Sequence, residues 1–164
     1  MLNHLARALT RALTRTLARI PHSLIALLAR FSIAAVFWKS GQTKVEGFAI
    51  DLVAGDFTLG WPHLADSAVA LFRDEYKLPW IAPQWAALLA AVGEHVLSLC
   101  LLLGLGTRLA ALGLLVMTAV IHVLVYPGAY PTHGVWAAVL LWLMALGPGR
   151  IAIDHWIAAH ARAA

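Results

Sequence analysis

Residues 91–104 read AVGEHVLSLCLLLG, with a carboxylic acid and an imidazole side by side in an otherwise apolar run. Glu94 and His95 are the residue types of proton transfer, because a carboxyl and an imidazole can each gain or lose a proton when their surroundings are tuned. Arg30 interrupts a second apolar run in the same way. An isolated charge in either place would cost several kcal/mol or neutralise, whereas an inward-facing hydrogen-bonded pair offsets much of that cost. A third group gathers where apolar runs end: Trp38 and Lys39, His122 one turn before Tyr126, and His133 with Trp136. Such side chains either ring a small pocket or serve as interfacial anchors. Arg30, Glu94 and His122 are the catalytic candidates on this reading.

Other chemistries lack their residues. His122 and His133 are two imidazoles without a CxxC, HxxxH or HExxH spacing, so no metal site is expected. The GLG at 104–106 follows no strand and lacks the rest of a dinucleotide fingerprint. The single cysteine, Cys100, excludes an intrachain disulfide or two-cysteine relay and is suited to filling apolar volume.

These residues must be positioned by elements that live in lipid. The 164-residue chain is 62% hydrophobic and only 12% charged, far from soluble-domain norms. The net charge of +4 comes largely from arginines near the N-terminus and speaks of leaflet and topology; no nucleic-acid partner is expected. Spanning helices are expected at about 22–40, 83–104, 107–126 and 134–147, with Thr107 as an N-cap after the glycines of a tight reversal. The prolines of PGAYPTHG (127–134) argue against helix there. The expected fold class is therefore all-α: a polytopic membrane four-helix bundle with an insertion at 41–82. Residues 1–21 should form a basic amphipathic helix, 22–154 the membrane domain and 155–164 a C-terminal tail.

Arg7, Arg11, Arg15 and Arg19 recur every four residues, and Leu5, Leu9, Leu13 and Leu17 do so two positions out of phase, which sets the two stripes on opposite faces of a helix. Such a helix suits an anionic inner leaflet, and its charges alone also serve as a topogenic signal. Basic residues retained on the cytoplasmic side place both termini there and the insertion outside. Arg30 lies about 12 Å from the cytoplasmic end of its helix and Glu94 about 15 Å from the same end of the next, so the two are expected to pair. His95 should line an adjacent groove.

Five blocks in order, RFSIAAVFWKSGQTK (30–44), LFRDEYKLPWIAP (71–83), the run from Gly93 to Pro127, HGVWAAVLLWL (133–143) and GPGRIAID (147–154), resemble the DoxX family over nearly all the chain after residue 22. One departure is Ala152, where similar proteins carry a serine two residues before the aspartate. The resemblance implies a four-helix bacterial inner-membrane protein associated with redox complexes, in some members with quinone-linked oxidation of sulfur compounds. The family pattern falls here on Arg30, Ser40, Lys44, Glu75, Tyr76, Glu94, His133, Trp136 and Asp154, and on structural positions such as Gly41, Phe72, Pro79 and Gly104. The expected ligand pocket thus comprises Arg30, Trp38, Lys44, Glu75, Tyr76, Glu94, His95, His122, His133 and Trp136, with quinone as the candidate cofactor. A redox-associated accessory subunit is the first functional expectation. A non-enzymatic membrane partner or assembly factor in metal or oxidative stress is the alternative, and a small transporter the second alternative. The lipid bilayer and either a protein partner or a second copy are the expected partners, in a multi-pass inner-membrane setting.

Overall fold

A computed structural model describes residues 2–51 and 54–162, with side chains at all of these except 2–5 and 8. The Leu5 side chain of the apolar N-terminal stripe and the last two residues of the tail therefore lie outside the described set. In chain order the elements are α1 (Leu2–Leu17), α2 (His22–Gln42), β1 (Val45–Asp51), β2 (Asp56–Leu64), α3 (Asp66–Leu71), α4 (Pro83–Leu103), α5 (Thr107–Val120), α6 (Tyr130–Leu146) and α7 (Ile153–Ala161). π-turns extend α3 over Phe72–Tyr76 and α5 over Ile121–Val125.

Among the described residues four helices are long and apolar enough to cross a membrane: His22–Gln42, Pro83–Leu103, Thr107–Val125 and Pro127–Leu146. The last begins before the expected residue 134, since Pro131 sits in the first turn of α6, where a missing N–H breaks no intrahelical bond. Small and polar side chains face inward and large apolar ones outward, the arrangement that lets backbones approach while Leu and Val meet lipid. On α4 the buried stripe is Ala87, Ala91, Glu94, Ser98 and Leu101, while Leu89, Val92, Val96 and Leu103 are exposed. Gly41 marks a close crossing of α2 on α4: a Cβ there would stand 2.8 Å from the His95 ring and 3.1 Å from Glu94 Cβ. Ile33, Phe37, Leu101, Leu114, Leu140 and Leu143 form the apolar core shared by all four spans.

The chain is mostly helical but not all-α. The insertion opens with an antiparallel hairpin that pairs Phe48 with Leu59 and Ile50 with Phe57. β-branched and aromatic residues favour the strands, and Asp51 Oδ1 accepts the Ala54 N–H in the turn. After the hairpin, α3 and its π-turn cover the first turns of α4, burying Ala65, Ala68, Phe72, Ala86 and Ala87 together. Leu71 and Leu78 are half-buried there, and Arg73, Asp74 and Lys77 stay exposed, as an amphipathic rim requires. The C-terminal segment is helical as α7. α1 is a helix whose Leu9, Leu13 and Leu17 remain more than half exposed.

Candidate functional site

Glu94 does not meet Arg30. Its carboxylate takes Lys44 instead, with Nζ at 2.8 Å from Oε2 and donating to Oε1 at 3.1 Å, while Ser40 Oγ donates to the same Oε1 at 3.0 Å. Lys44 Nζ also donates to the Ser40 carbonyl at 3.1 Å and lies 3.0 Å from its hydroxyl. Ser40 and Lys44 are one turn apart, so one side of the end of α2 supplies both partners. All three groups sit at the Gly41 crossing, and both charged side chains are buried.

The expected pairing fails because the two helices are staggered. It assumed that α2 and α4 end at the same level. In the fold Arg30 is level with the last carbonyls of α4, so the first turns of α2 run past its end. Glu94 is thus level with Gly41, about three turns or 16 Å along α2 from Arg30.

Arg30 works at the other end of the bundle. Its guanidinium donates from Nη1 to the Leu101 and Leu102 carbonyls, each at 3.0 Å, and from Nη2 to the Ile151 carbonyl. These include orphan acceptors at the C-terminus of α4, which a buried cation satisfies while gaining from the helix dipole. Beside it Asp154 accepts the Gly106 N–H at 2.7 Å and the Thr107 N–H at 2.9 Å, capping α5 from the start of α7. The Thr107 side chain makes no cap, contrary to expectation, because Thr107 is already the first helical residue. Ala152, in the serine's place, fits against Gly104, where a Cβ would stand 2.5 Å from Ala152 Cβ and 2.6 Å from Arg30 Nη1. Asp154 keeps its cap without the serine.

Three further groups separate in space. His95 belongs to the hairpin's anchorage: Gln42 Oε1 accepts the Ile50 N–H at 2.7 Å, so its Nε2 donates to His95 Nε2 at 2.6 Å, and His95 Nδ1 donates to the Ala91 carbonyl at 2.7 Å. Trp38 donates from Nε1 to the Ile50 carbonyl at 3.0 Å and packs its ring edge-on to His95. His122 and His133 meet through their Nδ1 atoms at 3.4 Å, with Trp136 packed at a tilt between His133 and Phe37. Among the described residues no group of three or more metal-ligating side chains converges. Glu75 accepts the Tyr126 hydroxyl, and the Tyr126 ring stands edge-on to Tyr76 at 5.9 Å. That hydrogen bond holds the Tyr126 phenol up at about 12. Burial, and then the charges of Glu94 and Glu75, also push Tyr76 up, so both phenols stay protonated at neutral pH.

Tyr76 links this rim to the ion pair. Between α4, α5 and the π-turn of α3 lies a cavity of about 220 Å³ whose lining includes Lys44, Glu94, Tyr76, Phe72, Ala90 and Met117. Leu89, Val116 and Val120, also in the lining, are 62%, 54% and 36% exposed, so the cavity opens sideways between α4 and α5 on a surface that lipid covers. Both π-turns border it, through Phe72 and Tyr76 on one side and Ile121 on the other. Of the ten expected pocket residues the cavity gathers Lys44, Tyr76 and Glu94. Glu75 stands just outside, while Arg30, Trp38, His95, His122, His133 and Trp136 serve other contacts.

A polytopic helical membrane protein with a buried ion pair beside a lipid-facing cavity is the class this architecture defines. The DoxX family model matches residues 25–127, and the chain belongs to that family. No curated protein and no solved structure matches the chain.

Proposed function

We propose that the cavity binds a lipophilic molecule of the quinone type and that the protein serves as a redox-associated accessory subunit in the bacterial inner membrane. The carrying observation is the cavity's polarity: apolar walls, a mouth toward lipid and a floor holding one buried Lys44–Glu94 pair. Sites that enclose a whole drug-sized ligand span roughly 300–1,000 Å³. A cavity of about 220 Å³ suits one substituted ring, with any tail leaving between α4 and α5.

A quinone ring fits this donor set. Lys44 and Tyr76 are the donors that would meet a carbonyl oxygen, and Glu94 is the acceptor for a hydroxyl of the reduced form. Bound there, the group would supply two-electron redox chemistry. The chain's own residues would orient the ring, exclude water and hold a proton at the Glu94 carboxylate. No flavin or haem ligand set accompanies the site in the sequence, so electrons would come from a partner protein, in keeping with an accessory subunit.

The test is purification in detergent, organic extraction and mass analysis of bound lipid, followed by titration with a short-chain quinone read by thermal shift. Saturable stabilisation is expected, and Ala90→Phe, which fills the cavity while keeping both charged groups, should abolish it. A parent chain that yields no quinone and shows no saturable shift overturns the reading.

A further inference from the structure

The insertion carries apolar surface that the proposed site does not use. Phe57 and Leu59 on β2 are 61% and 79% exposed, and Trp61 is 88% exposed. A soluble domain seldom leaves such a row in water. Its direction follows from the pairing: residues directly opposite on neighbouring strands share a face, so Leu59 lies on the side of Phe48, and Phe57 on the side of Ile50. Phe48 lies 6.5 Å from the His95 ring of α4, so this is the side turned toward the bundle. β1 is bound down through Ile50 to Trp38 and Gln42 at the end of a spanning helix. β2, one strand further out, leaves Phe57 and Leu59 exposed on that same side.

We propose that β2 is a lipid-facing anchor: Phe57 and Leu59, with Trp61 alongside, enter the headgroup and upper acyl region of the leaflet on the hairpin side and hold the hairpin against the membrane. The occupant is lipid because the apolar face is directed toward the bilayer flank and its anchorage begins where α2 leaves the membrane. Trp80 and Tyr130, 86% and 69% exposed at the same end of the bundle, extend the aromatic belt expected at an interface. The flanking polar groups Glu46 and His63, paired at 3.4 Å and largely exposed, mark the end of the sheet beyond the apolar row. The anchor stands independently of the quinone reading.

The experiment uses the full chain in lipid nanodiscs with Cys100→Ala and a nitroxide attached at Leu59→Cys, and separately at Phe57→Cys in case one label disturbs the hairpin. Relaxation by dissolved oxygen and by a water-soluble nickel chelate is compared with references at Val116→Cys on the lipid-facing side of α5 and at Asp56→Cys, the first residue of β2. The expected result is an oxygen-to-nickel ratio several-fold above the Asp56 reference, approaching that of Val116. A ratio equal to that of Asp56 places the strand in water and overturns the anchor. Low accessibility to both reagents places a second copy or another protein over β2 and overturns it equally.

Discussion

At the scale of single residues, the buried Lys44–Glu94 pair is the most consequential feature because neither charge has bulk water to fall back on. Removing one partner of a buried pair costs about 3–5 kcal/mol, since the survivor is left uncompensated. Lys44→Met should therefore lower the melting temperature in detergent sharply, and Lys44→Met with Glu94→Leu should recover most of the loss. Arg30→Met and Glu94→Leu should instead add, because the two residues act about three turns apart along α2 and share no partner. Strong coupling between Arg30 and Glu94 in that cycle would contradict the stagger of the helices. Gly104→Ala has its own cost: it holds φ at +70° and has no room for a Cβ beside Arg30 and Ala152. A loss of about 1–3 kcal/mol is expected from the strain and overpacking.

At the scale of elements, the two π-turns deserve a functional reading, since each inserts an extra residue where the cavity needs a wall. The Tyr126–Glu75 hydrogen bond joins the rim after α3 to the end of α5. With the phenol raised from 10.0 to about 12, its protonated form is favoured in the fold, so the stabilisation is full below pH 10 and is lost as pH rises from there through about 12. Phenolate absorbance on alkaline titration should show Tyr126 ionising late, and Tyr126→Phe should remove that late component. The same variant should raise proteolysis after Arg73 and Lys77, which lie in the segment this bond secures. Cleavage unchanged from the parent chain would show that burial of Phe72 alone holds the rim. Asp154→Ala removes the cap on α5 and should cost about 1–2 kcal/mol in the same thermal assay.

For the whole molecule, the arginine asymmetry argues that both termini face the cytoplasm and that the hairpin, the rim and the start of α6 face outward. In a Cys100→Ala background, single cysteines at Gly60 and Tyr130 should react with an impermeant reagent added outside intact cells, and one at Ala12 should not. Labelling of Ala12 from outside would reverse the orientation. With this orientation, α1 presents Arg7, Arg11 and Arg15 opposite Leu9 and Leu13, a helix proposed to lie on the inner leaflet as a unit distinct from the membrane domain.

The sequence alone determined the solvent, the four spans and the family. Those follow from average hydropathy over some twenty residues and from the order of motif blocks, which do not depend on how helices pack. It also marked two residues that had to find partners: Arg30 and Glu94 stand out because a charge inside a bundle is costly wherever it lies, whereas Lys44 read as part of the insertion and entered only through the family pattern. Partner choice was decided only by the tertiary structure. Counting residues from helix ends made Arg30 and Glu94 appear level, but Gly41, Gly149 and Gly104 permit close approach only at particular offsets, and the offset they fix brings Lys44 to Glu94 and α4's last carbonyls to Arg30. The hairpin was likewise hidden, because Phe57 and Leu59 read as scattered apolar residues until their pairing with Ile50 and Phe48 set them on the face that β1 turns toward α4.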